Sequence, residues 1–179
     1  MHRTALYLTV ITAALTISGL APAAERAEAR ANQVPLRLDD ANGKVVGRVV
    51  FSSLSQNASW YVVMQESKQI FAVPFGNYGP EMTKVDFLRG ELVFATPDCS
   101  GQPYVSLLYY FFGPLRVATV ISAGGQTMAY VGADIAEDFQ AQSQRDDSGC
   151  RAGQSRMFAV PVADVIDITG KYQPPFSIR

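Results

Sequence analysis

Sixteen carboxylates, two cysteines and a single histidine are the groups in this 179-residue chain whose types suit chemistry. Two carboxylates can run glycoside hydrolysis unaided, one as acid and the other as nucleophile or base. Acids such as Glu81, Glu91, Glu137 and Asp138 are candidates for such a pair, and nothing in the sequence pairs them in space. The histidine is His2, in a segment that reads as a leader, so the working chain is expected to lack imidazole, and with it His-based acid–base catalysis and His-ligated metals. Neither cysteine has a histidine or a Cys-x-x-Cys partner to generate a thiolate. There is no Gly-x-Ser-x-Gly elbow and no phosphate-cradling glycine loop followed by Lys. No catalytic residue, cofactor or metal ligand is assigned from the sequence.

Two acidic loops receive ordinary readings. Asp39, Asp40, Asn42 and Gly43 echo a calcium loop, but Leu38 and Val49 occupy the positions where the first and last ligands belong, so a hairpin turn is expected. Asp146-Asp147-Ser148-Gly149 reads as an exposed loop beside a disulfide. Aromatic side chains make the better case for binding. Trp60, Tyr61, Tyr78 and Tyr104 are candidate ligand contacts for a glycan or a protein partner. Trp60 and Tyr61 open an apolar strand and also suit a core, whereas Tyr78 lies in the loop Gly76-Asn77-Tyr78-Gly79-Pro80.

These groups sit in a chain whose organisation points outward from the cell. His2 and Arg3, the apolar run Ala5 to Leu20 and the small residues Ala21, Ala23 and Ala24 follow the three-part plan of a secretory signal peptide. Cleavage is expected after Ala23 or Ala24, with Ala29 as a competing site. That divides the chain into a leader 1–24, a flexible segment 25–33 and one domain 34–179. The product is expected to be periplasmic or extracellular, with no stable membrane anchor after cleavage. Cys99 and Cys150, each among turn-forming residues, are an even pair and read as a disulfide in that setting. A formal charge of −1 offers no field for a phosphate backbone, which excludes nucleic acid as the main partner.

The elements expected to position these groups are strands. Apolar or alternating runs at 34–38, 44–51, 60–65, 69–75, 84–87, 91–95, 104–112, 116–122, 127–131, 156–162 and 165–168 are separated by turn residues. Short strands at intervals of about 8–12 residues predict an all-β fold, a single antiparallel sandwich or barrel of about ten short strands. At most one short helix is expected, at Asp134–Phe139, where Ile135 and Phe139 are four apart. Pro174-Pro175 predicts an extended C-terminal tail.

Asp40-Ala41-Asn42-Gly43-Lys44-Val45-Val46-Gly47, the turn Asp98-Cys99-Ser100-Gly101, the later Cys150 and the tail Pro174-Pro175-Phe176-Ser177-Ile178 together resemble a group of uncharacterised exported bacterial proteins. The resemblance implies an exported, disulfide-containing, strand-rich domain and transfers no activity. The expected function is a non-catalytic exported module that binds a protein or glycan through loops near the Cys99–Cys150 link. The alternatives are a small carboxylate-dependent hydrolase and a structural subunit whose Leu107–Phe112 strand completes an oligomer.

Overall fold

The computed structural model describes residues 35–52, 59–77, 85–88, 90–107 and 115–179. The leader, Tyr78, Glu81 and most of the Leu107–Phe112 run lie outside them. Within the described residues the chain is all-β, with twelve strands and no helix. They are β1 (Arg37–Asp39), β2 (Val45–Ser52), β3 (Ser59–Glu66), β4 (Gln69–Asn77), β5 (Val85–Phe87) and β6 (Leu92–Phe94). There follow β7 (Tyr104–Ser106), β8 (Arg116–Ala123), β9 (Gln126–Gly132), β10 (Glu137–Asp146), β11 (Gly149–Asp167) and β12 (Ser177–Ile178).

Backbone pairing joins these strands in the order β10-β6-β7-β11-β9-β8-β4-β3-β2-β1-β12, with β5 on β4 and a second pairing of β10 with β11. All pairs are antiparallel except β4 with β8. The expected barrel is corrected, because the sheet as a whole does not close. At one end β5 reaches the segment before β12 through a single bridge, Val85 to Phe176, rather than through a ladder.

Alternation along the strands builds two packed faces. Val62, Met64, Phe71, Val73, Phe75, Ala118, Val120, Ala129 and Val131 point into one buried cluster together with Leu38, Ile166 and Phe176. The residues between them on β8 and β9, such as Val117, Ile121 and Tyr130, face a second cluster with Leu92, Phe94, Val105 and Val160. A sheet covered on both faces buries successive positions, which explains the unbroken buried run from Ala118 to Ile121, Thr119 included.

The helix expected at Asp134–Phe139 is absent. Ile135 is 79% exposed, whereas Phe139 is buried and already belongs to β10. Phe139, Ala141 and Ser143 are buried at a spacing of two, the period of a strand. Polar residues between them hid the pattern, and they pair with an equally polar first half of β11. The two strands expected at 156–162 and 165–168 are one continuous element, and the extended tail ends in β12 on β1.

The sulfurs of Cys99 and Cys150 stand at disulfide distance, 2.04 Å, across a sequence separation of 51. Cys99 adopts a positive φ of 58° in its turn. Fully buried Ser143 fixes that turn to β10: its hydroxyl accepts the Cys99 N–H at 3.0 Å and donates to the Thr96 carbonyl at 2.6 Å. Ser143→Ala leaves both backbone groups unpaired, and urea unfolding should show a loss of about 1–3 kcal/mol.

Candidate functional site

A cleft of about 370 Å³ lies on the face of β3, β4 and β8 opposite the main cluster. Its floor follows from strand alternation. Tyr61 and Pro74 are cross-strand partners that point away from Val62 and Val73, and Val117 and Thr119 join them from β8. The walls are Leu88, Gly90 and Glu91 from the connector into β6, Val105 and Ser106 from β7, and Asp146, Asp147 and Ser148 from the β10–β11 turn.

Register brings the acids together. Leu92 pairs with Arg145 in the antiparallel β6–β10 ladder, so Glu91 and Asp146 are the next positions beyond that pair. Two further ties hold the turn in place. Asp147 accepts the Ser122 N–H from β8 at 2.8 Å, and Cys150, just past the turn, is bound to Cys99. Asp146 accepts hydrogen bonds from the Ser148 backbone and hydroxyl and pairs with Arg151.

The two neighbouring carboxylates are pushed in opposite directions. Partial burial raises the pKa of Glu91; the Arg151 charge opposes this and the charge of Asp146 adds to it. Hydrogen bonds from the Ser148 side chain and backbone lower that of Asp146, against a smaller effect of burial and with help from Arg151. Glu91 is thus the group more ready to hold a proton, and Asp146 the one that stays ionised. Around them the cleft offers hydroxyls on Ser148, Ser106 and Thr119 and apolar surface on Leu88, Pro74 and Val117.

The residues singled out in the sequence are dispersed. Tyr61 lies under the cleft and is fully buried. Trp60, adjacent on β3, points to the other face. Tyr104 stacks on Phe139 with ring centroids 4.1 Å apart, and burial followed by the Glu137 carboxylate raises its pKa. Of the four acids considered for a pair, Glu91 lines the cleft and Asp138 is bound to Arg156 on the β10–β11 hairpin. The Asp39–Gly43 segment is a hairpin turn in which Asp40 accepts the N–H groups of Asn42 and Lys44. Among the described residues no group of three or more His, Cys, Asp or Glu is placed to hold a metal ion. Sequence reasoning assigned Asp146–Ser148 to an exposed loop. The Cys99–Cys150 pair is a signal for this end of the fold, and the β6–β10 register is what sets Asp146 beside Glu91.

Gly90 sets the depth of the cleft. Its N–H donates to the Val120 carbonyl at 3.3 Å, and a Cβ at this position would stand 1.6 Å from Thr119 Oγ1 and 3.0 Å from the Val120 carbonyl oxygen. Gly90→Ala should therefore lift the connector from β8 and lower stability in urea unfolding by about 1–3 kcal/mol, the range for overpacking a filled site. No family model matches this chain, and neither the curated proteins nor the solved structures contain a significant match to it.

Proposed function

We propose that this protein is an exported, non-catalytic β-sandwich module that binds a glycan in the cleft beside the Cys99–Cys150 link. The observation that carries this reading is the cleft itself, about 370 Å³ and walled by the loops next to the disulfide. A recess of that size suits one or two sugar rings. A stable protein partner needs a broad interface of roughly 1,200 Å² or more in total, for which a small concavity is the wrong shape. Carboxylates of Glu91, Asp146 and Asp147 can accept hydrogen bonds from sugar hydroxyls, and Leu88, Pro74 and Val117 can cover the C–H faces of a ring. A disulfide fits an oxidising compartment, in keeping with export.

A second reading rests on the same two acids. Their opposed pKa shifts are the pattern that separates a general acid, Glu91, from an ionised partner, Asp146, in carboxylate-dependent hydrolysis.

Titration of the oxidised protein with neutral and amino mono- and disaccharides, followed by backbone amide NMR, tests the proposal. Saturable shifts are expected at Glu91, Thr119 and Ser148, and Glu91→Ala with Ser148→Ala should weaken binding at least about tenfold, or 1.4 kcal/mol. An absence of saturable shifts up to about 10 mM sugar, or shifts confined to other strands, would overturn it. Turnover of the matching aryl glycosides that is abolished in Glu91→Gln would replace the binding reading with the hydrolytic one.

A further inference from the structure

The C-terminal segment crosses from the end of β11 to β1, and carboxylates outside the segment supply the side-chain hydrogen bonds and ion pairs at both of its ends. Glu66, at the end of β3, accepts the Lys171 ammonium at 2.6 Å and the Tyr172 hydroxyl at 2.6 Å. Asp40, in the β1–β2 turn, accepts the Gln173 N–H at 3.1 Å while holding its own turn through Asn42 and Lys44. Asp39, fully buried, faces Arg37 at 3.0 Å and Arg179 at 3.6 Å. Lys44 completes the set, donating to the Lys171 carbonyl at 2.8 Å and lying over the Tyr172 ring. Beyond these contacts the segment makes two backbone pairs with β1, hydrogen bonds between the Arg37 and Arg179 backbones in both directions, one from the Ala41 N–H to the Gln173 carbonyl, and the single Val85 bridge, while Tyr172 packs on the main cluster and Phe176 enters it beside Phe87 at 4.8 Å.

We propose that Lys171–Arg179 is an acid-released strap, docked by Asp40 and Glu66, whose departure bares the slot of Phe176 and the outer edge of β1 while the remaining strands stay paired. The division follows from where the bonds lie. Short β12 has a ladder of only two pairs, and carboxylates hold the segment on either side of it at Lys171–Gln173 and at Arg179, whereas β2, β3, β4, β8 and β9 are joined by ladders five or more pairs long wherever they meet in antiparallel fashion. Gly170, at a positive φ of 66°, and exposed Thr169 supply the point about which the segment can swing.

The direction of the pH effect follows from the two carboxylates that shift. Burial pushes Asp40 up, but the N–H groups of Gln173, Lys44 and Asn42 and the Lys44 charge together hold it below the ordinary aspartate range. Burial likewise pushes Glu66 up, and the hydrogen bonds of Lys171 and Tyr172, with the charges of Lys171 and Lys44, bring it below the ordinary glutamate range. An acid whose folded pKa is lowered stabilises the docked state fully above its unfolded value, about 3.9 for Asp and 4.3 for Glu. That contribution is lost as pH falls through the lowered, folded value. The strap is therefore closed near neutrality and opens in acid.

Amide hydrogen exchange on the full-length oxidised protein, measured from about pH 7 to about pH 3, reads the strap and the core separately. Protection of Gln173, Phe176 and Arg179 should fall at least about tenfold more than that of Val62, Val73 and Ala129 as acid is added. Glu66→Gln and Asp40→Asn should each produce this loss at a higher pH than the parent. Loss of protection at Phe176 and Val73 in one step at every pH would overturn the proposal. So would a release point that neither substitution moves. If Asp40→Asn fails to fold, Glu66→Gln decides, because Glu66 lies at the end of β3 and outside the β1–β2 turn.

Discussion

Residues 149–167 form one unbroken strand that hydrogen-bonds in turn to β10, β7 and β9, and most of the architecture hangs on this continuity. A strand with different partners along its length must bend where the partner changes. The register shift between Val162 and Asp164 lies where β9 takes over from β7. Because β11 is shared, the hairpin that carries the disulfide cannot drift from the strands that carry the main apolar cluster. Ile166 is anchored in that cluster, Val160 in the second, and Ala159 in a smaller one with Val93, Phe139 and Ala141, within eight residues of one strand.

That constraint is what creates a recess. The β10–β11 turn is carried over the far face of β3, β4 and β8, where Thr119, Pro74 and Tyr61 form a floor. Three ties of different kinds keep it there: the β6–β10 ladder, the Asp147 bond to Ser122 and the Cys99–Cys150 link. A site framed this way is preorganised, since the side chains that line it are fixed by neighbours outside it. Half-burial of Glu91 beside Asp146 is then a consequence of register, with no need of a special loop conformation.

Much of the sheet was legible where burial is one-sided or complete. The runs around Val62, Val73, Ala118 to Ile121 and Val131 announce strands because the residue type repeats at the strand period or fills both faces. Asn42-Gly43 gave its hairpin for a backbone reason, as Gly43 sits at φ 77°. β10 was hard to see because, after Phe139, Glu137–Asp146 buries only small residues, Ala141 and Ser143, between exposed polar ones. The cleft was hidden for a different reason. Glu91 and Asp146 are remote in sequence, and only the β6–β10 register makes them neighbours. The cysteine pair was the one long-range clue available, and it pointed to the correct end of the molecule without revealing which side chains converge there. The C-terminal tail was read as extended from Pro174-Pro175, but its docking depends on Asp40 and Glu66, whose partners no local pattern can name.

The disulfide-tied turn forms a built recess that half-buries Glu91 against Asp146. A ¹³C NMR titration of the Glu91 side-chain carboxyl, in oxidised protein and after reduction of Cys99 and Cys150, tests it most directly. The account predicts a midpoint above the ordinary glutamate value of about 4.3 in the oxidised form, returning toward that value when the link is cut. A midpoint at or below the ordinary value in the oxidised protein would contradict it.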